Sequence, residues 1–131
     1  MIKNFDEWNE KKKKTHVKDI PKALHFYERE IWWCALGCNI GSEEDGKHDN
    51  FERPMLIFRK FGEDISWAIP LTTQSARYGS GKEYTFTCNG ITRTADMAQM
   101  RPVSSKRLIR YVDTISYEDF QTIRKIFISL A

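Results

Sequence analysis

From Glu30 to about Val103 the chain breaks into short runs rich in β-branched and aromatic residues, and at Ser116 their period of two gives way to a helical one. This change of period constrains the fold more than any other feature. A stretch patterned for one face of a pleated strand does not also present one face of a helix. "REIWWCALG" reads as a strand ended by Gly37. "PMLIFRKF" follows as a strand opening at Pro54, where a missing ladder donor is tolerated. In "DISWAIPLTT", Trp67, Ile69 and Leu71 alternate with Ser66, Ala68 and Pro70, the pattern of a half-buried strand. "EYTFTC" and "ITRT" flank Asn89–Gly90, a strong hairpin signal. A further strand-like piece spans about Met97 to Val103.

After these runs, Ser116 and Asp119 form an S-x-x-D capping signature, and Phe120, Ile123, Phe127 and Leu130 fall at helical spacing. Five or six short strands followed by one amphipathic helix describe a mainly β domain with helices. The expected architecture is a small, strongly curved barrel with a C-terminal helix packed against it. Residues 1–28 differ in texture and read as an N-terminal helical extension to a barrel domain over 29–131. Phe5 and Trp8 suit one or two helical turns that pack on the barrel. The lysine run at 11–14 breaks the apolar pattern and reads as a solvated face, and Pro21 limits any helix reaching it.

Composition sets the outer bounds. At 131 residues, 40% of them apolar, the chain can bury one ordinary core. Its 21 basic and 18 acidic residues leave a net charge of +3, compatible with an anionic polymer but no argument for one alone. Cys34, Cys38 and Cys88 have neither C-x-x-C spacing nor an even count, which points to reduced thiols in a cytoplasmic protein. The first residues carry charge without an apolar h-region, and no apolar run nears membrane-spanning length. His16, His25 and His48 are scattered, so neither a metal site nor any cofactor is expected. Glu43, Glu44 and Asp45, in the polar loop "CNIGSEEDGKHDNFE" that is longer than a hairpin needs, read as solvated acids, with orienting a basic residue or coordinating a cation as the alternative.

One pairing stands out. "GSEEDGKHDNFERP" precedes an apolar strand, and the next strand ends in "IPLTTQ". Together with "QMRPVSSKRL" and the C-terminal helix, this order resembles the PemK/MazF toxins of bacterial type II toxin–antitoxin modules. Their pattern runs G-S-E-Q, then G-x-R-P before a hydrophobic run, a strand ending P-x-T-[TS], and a Q-x-R-x-[IV]-D-x-x-R-L segment. The resemblance covers about residues 29 to 130, and the ordered set carries it rather than any one motif.

The resemblance implies an SH3-like barrel that dimerises and cleaves single-stranded RNA at short sequences without a metal. It also implies restraint by a cognate acidic antitoxin, with operator DNA bound only through the antitoxin complex. The R-P arginine falls on Arg53 and the strand-end threonine on Thr72, the implied catalytic pair. Trp33 matches the aromatic of the first strand and is assigned to a dimer or antitoxin interface. Glu43 matches the G-S-E glutamate. It joins Lys47, Arg59, Lys60, Thr73, Gln74, Gln99 and Arg101 as the expected RNA-binding set. The supply of aromatic residues, 13% of the chain, suits a partner surface as well as a core.

The chemistry of the matched pair is apt. Metal-free cleavage drives the ribose 2′-OH onto the adjacent phosphorus and expels the 5′-oxygen. A guanidinium offers a planar fork to phosphate oxygens, and a threonine hydroxyl at a strand end adds a donor. Taken alone, Arg53 is also suited to pairing with Glu43 or Glu52 on the surface. The sequence departs from the family pattern in places. Where some relatives carry an arginine and an aspartate one residue apart, this chain has Asp96 and Ala98, and the expected I-D reads Pro102–Val103–Ser104. The loop before Arg53 is longer, and the N-terminal extension is additional. Two other functions compete: a gyrase poison of the CcdB type and a plain SH3-like binding module. The C-terminal "FISLA" lacks the tryptophan–glycine–isoleucine end of the first, and the second leaves "RP" and "LTTQ" unexplained.

Overall fold

The computed structural model describes residues 4–17, 25–37, 52–74 and 81–131. Seven antiparallel strands among them form one curled sheet: β1 (Glu30–Ala35), β2 (Glu52–Lys60), β3 (Ile65–Thr72), β4 (Glu83–Cys88), β5 (Ile91–Asp96), β6 (Arg101–Ser104) and β7 (Leu108–Thr114). Helix α1 (Phe5–Val17) precedes them and α2 (Tyr117–Ser129) follows. The strand order is β4-β5-β3-β2-β1-β7, with β6 paired to β3 off that path.

β3 bends the sheet by changing partners. It pairs with β2 up to Met55↔Pro70, then turns away so that Leu71 and Thr72 pair with Ala95 and Thr94 of β5. The two outer edges are drawn together by side chains rather than by a ladder. The Cys88 thiol donates to the Thr114 carbonyl at 3.6 Å, and the Asn89 amide donates to the Asp113 carboxylate. The result is a half-barrel.

Its concave face is filled by α2. Phe120 and Ile123 pack among Ile31, Leu56, Ile69, Leu71, Phe86, Ala95 and Met97. The helix starts where the sequence signals it should, because the Ser116 side chain accepts a hydrogen bond from the Asp119 N–H. The Tyr84 hydroxyl then ties β4 to the helix through a 2.7 Å bond to Asp119. A second core on the convex face joins Phe26, Trp32, Cys34, Leu36, Met55, Ile57, Ala68, Val103 and Leu108. β1, β2 and β3 are therefore buried on both faces, which explains their nearly continuous apolar runs. The hairpin at Asn89–Gly90 has φ of 49° and 77°, the left-handed pair that Asn-Gly favours.

The structure corrects several expectations. Pro54 is not the first residue of its strand but the third of β2, paired with Trp33, and it lies beyond the point where β3 joins. Trp67 alternates as expected yet is 41% exposed, because its position on β3 lies at the rim of α2, against Phe61 and Phe127. Met97–Gln99 forms a 3₁₀ turn rather than a strand, capped by the Asp96 side chain, and only Arg101–Ser104 is extended. β7 was not anticipated: "LIRYVDT" shows no clean alternation, and it becomes a strand by pairing with β1.

The N-terminal helix is longer than expected and runs through the lysines. Lysine is a good helix former, so a break in the apolar pattern did not mean a break in the helix. Asn4 caps it, accepting from the Glu7 N–H at 3.0 Å. Of the two anchors named for it, Trp8 is 5% exposed and packs on Ala35, whereas Phe5 is 50% exposed.

Candidate active site

The divergence of β3 from β2 opens a cavity of about 310 Å³ at one end of the half-barrel. Its lining is Trp33, Glu52, Pro54 and Arg53 from β1 and β2, Leu71, Thr72 and Thr73 from the end of β3, and Ile91 and Arg93 from β5. Strand alternation sorts these residues. Trp33 and Pro54 are cross-strand partners on the face that carries Ile31 and Leu56 toward α2. Arg93 pairs with Phe86 and so shares that concave face.

Arg53 starts from the other face, in register with Cys34, and reaches the cavity by the gap that β3 leaves. It is 5% exposed and donates to the Leu71 carbonyl at 3.1 Å. That bond fixes the guanidinium beside the residue preceding Thr72. The Thr72 hydroxyl accepts the Gln74 N–H at 3.2 Å, a turn that closes the strand end. With a lone pair so engaged, the hydroxyl proton is available for donation into the cavity.

Glu52 is the one carboxylate among the described lining residues. It is buried and bonded to Arg110 at 3.0 Å, while Glu43, the other partner considered for Arg53, lies outside the described residues. The Arg110 guanidinium also lies 5.0 Å from the centre of the Trp33 ring, a cation–π contact that fixes the wall of the cavity. Glu52 thus shares the cavity wall with Arg53 and Arg93 and is itself paired with Arg110. The charge of Arg93 also reaches Asp113, whose carboxyl sits below its ordinary range. The Thr114 N–H is the main cause there, with Asn89, Cys88 and Arg93 adding to it.

The expected RNA-binding residues divide. Thr73 lines the cavity and Gln74 braces Thr72. Arg59 and Lys60 lie six and seven residues further along β2, roughly 20 Å away at strand rise. Lys60 is also occupied, donating to the Phe26 carbonyl at 2.9 Å and lying over the Phe26 and Tyr27 rings. Gln99 sits in the 3₁₀ turn, and Arg101, on β6, lines a different cavity. Glu43 and Lys47, with Cys38, His48, Glu44 and Asp45, lie outside the described residues. Trp33 is placed beside Arg53 in the cavity wall. That second cavity, about 500 Å³, is larger and mainly apolar, between the end of α2 and β6. Lys82 and Arg101 are its charged lining side chains, and it has no carboxylate side chain among the described lining residues. The smaller cavity, with arginine, threonine and glutamate together, is therefore the better candidate for chemistry.

Sequence reasoning missed Arg93 and Arg110 and gave Glu52 only a surface role. A signal for Arg93 existed. An Asn-Gly hairpin sets the register, and counting back from it puts Arg93 opposite the core residue Phe86. An arginine on a core face calls for an explanation.

Cys34 and Cys88 are free thiols, and burial pushes the Cys88 thiol up, so it is a poor nucleophile. Among the described residues no cluster of His, Cys, Asp or Glu could hold a metal ion. Among them, too, no helix is long and apolar enough to cross a membrane. Comparison with curated proteins gave no significant match. A family model described as PemK-like, MazF-like toxin of type II toxin-antitoxin system matches residues 27–130, and with its strand-end arginine and threonine in one cavity the chain belongs to that family.

Proposed function

We propose that the chain is the endoribonuclease toxin of a type II toxin–antitoxin pair, cleaving single-stranded RNA by 2′-OH attack in the cavity of Arg53 and Thr72. The observation that carries this is the convergence of a buried guanidinium, a braced hydroxyl and a carboxylate at one strand end. In this mechanism Arg53 holds the non-bridging oxygens of the scissile phosphate, and the Thr72 O–H donates to one of them. Glu52 takes the 2′-OH proton as the O2′ lone pair forms the new bond to phosphorus. The P–O5′ pair departs with the 5′-oxygen, which takes a proton from water at the open mouth. The products are a cyclic 2′,3′-phosphate and a 5′-hydroxyl. Charge stabilisation by Arg53 comes first, because a guanidinium with an ordinary pKa above about 12 is a poor proton carrier.

The family implies an antitoxin. An acidic antitoxin segment would compete for the same arginines, since carboxylates and phosphates prefer the same fork of donors. The working unit in this proposal is a homodimer in the cytoplasm, with operator DNA reached only through the antitoxin complex. Incubating the purified chain with single-stranded RNA in EDTA tests the proposal. Fragments ending in cyclic phosphate are expected. Intact RNA from folded protein would point instead to a gyrase poison or a binding module.

A further inference from the structure

We propose that Arg93 is a second phosphate-holding residue of this cavity, so that the RNA backbone is gripped by two guanidiniums rather than by Arg53 alone. Arg93 is 7% exposed, and its Nε is buried without a hydrogen-bond partner among the described residues. A buried donor on a charged group that lacks an acceptor is costly, and native structures rarely keep one without a use. The same side chain lines the cavity that Arg53, Thr72 and Thr73 line from the opposite strand. A phosphate seated there would supply what the protein does not, an anionic acceptor for the Nε–H.

The carboxylates near Arg93 do not fill this role. Glu52 is bonded to Arg110, and the Asp113 carboxylate takes hydrogen bonds from Thr114 and Asn89. The strand around Arg93 is braced by the Thr85–Thr94 and Thr87–Thr92 side-chain bonds across the β4–β5 hairpin at 2.8 and 2.9 Å. Two forks offered from different strands, β2 and β5, define an anion position more closely than either alone. The ligand class is a phosphodiester, and this inference rests on the proposed RNA cleavage for its biological meaning.

The test separates the two. In protein labelled with nitrogen-15, inorganic phosphate is titrated while the arginine Nε–H signals are followed. The Arg93 signal is expected to move saturably. Binding of an all-2′-deoxy oligonucleotide, which cannot be cleaved, is then measured at several salt concentrations. Arg93→Gln should weaken it roughly tenfold and lower the salt slope by about 0.7, one phosphate contact on a single strand. Arg93→Lys should recover part of the affinity.

A wild-type titration in which the Arg93 signal stays still would overturn the proposal, whatever the variants do. So would folded Arg93→Gln protein with unchanged affinity and slope. An Arg93 signal that moves in a protein unable to cleave RNA would uphold this site and remove the nuclease function instead.

Discussion

Arg53 and Thr72 owe their usefulness to what holds them. The guanidinium is anchored on the Leu71 carbonyl and the hydroxyl on the Gln74 N–H, so in the proposed mechanism both are oriented before a phosphate enters. Arg53→Ala or Thr72→Ala should each lower RNA cleavage by about 10²–10³-fold, the scale of one lost charge-stabilising donor; a kinetic comparison of folded variants checks this. Arg53→Lys should restore only part, lacking the planar fork. Glu52→Gln keeps the shape but removes the proton acceptor and should cost about 10²–10⁴-fold. Near-normal cleavage by that variant would take Glu52 out of the mechanism. Part of this site was legible in the sequence. Arg53 and Thr72 stood in recognisable motifs, whereas Glu52, Arg93 and Arg110 are brought to or beside the cavity by cross-strand register, and a linear motif does not display register. Arg59 and Lys60 show the converse: basic and close to Arg53 in sequence, they are carried away by the strand's own rise.

The elements show why some of the fold was readable and some was not. Asn89–Gly90 and Ser116 announced their turn and helix because local chemistry decides those conformations. β7 was hidden because its partner β1 decides it, and α1 was underestimated because lysines sustain a helix without an apolar stripe. α1 is held near its start by Trp8 and near its end by Lys106, whose ammonium donates to the His16 carbonyl at 2.8 Å. Trp8 lies over Gly37, where an added Cβ would come within 1.9 Å of the indole, and φ at Gly37 is +79°. Gly37→Ala should therefore undock α1. Amide exchange over residues 8–17 should rise while the strand amides stay protected, and unchanged exchange in α1 would contradict this packing. The junction of the hairpin with β7 carries a pH signature. Asp113 has its carboxyl depressed, chiefly by the Thr114 N–H, so its contribution to stability is present above the unfolded value near 3.9 and is lost as pH falls through the folded one. Acid unfolding of Asp113→Asn should accordingly be less steep below about pH 4 than that of the natural chain.

At the scale of the molecule, a half-barrel plugged by α2 leaves a charged cavity at the end where β2 and β3 part. Exposed aromatics at Phe61, Trp67, Tyr111 and Tyr117 stand elsewhere on its surface. The homodimer proposed as the working unit leads to a further prediction: light scattering at micromolar concentration should give twice the 15.5 kDa of one chain. A monomer that still cleaves RNA would remove the dimer from the mechanism. The central claim is that this cavity cuts RNA using protein groups alone. Its most direct measurement is a time course of the purified chain on single-stranded RNA in excess EDTA, with Arg53→Ala in parallel and the new ends identified chemically. The account predicts cleavage that survives the chelator, leaves cyclic phosphate and 5′-hydroxyl ends, and all but vanishes in the variant. Cleavage that requires a divalent ion, or that proceeds undiminished without the Arg53 guanidinium, would contradict it.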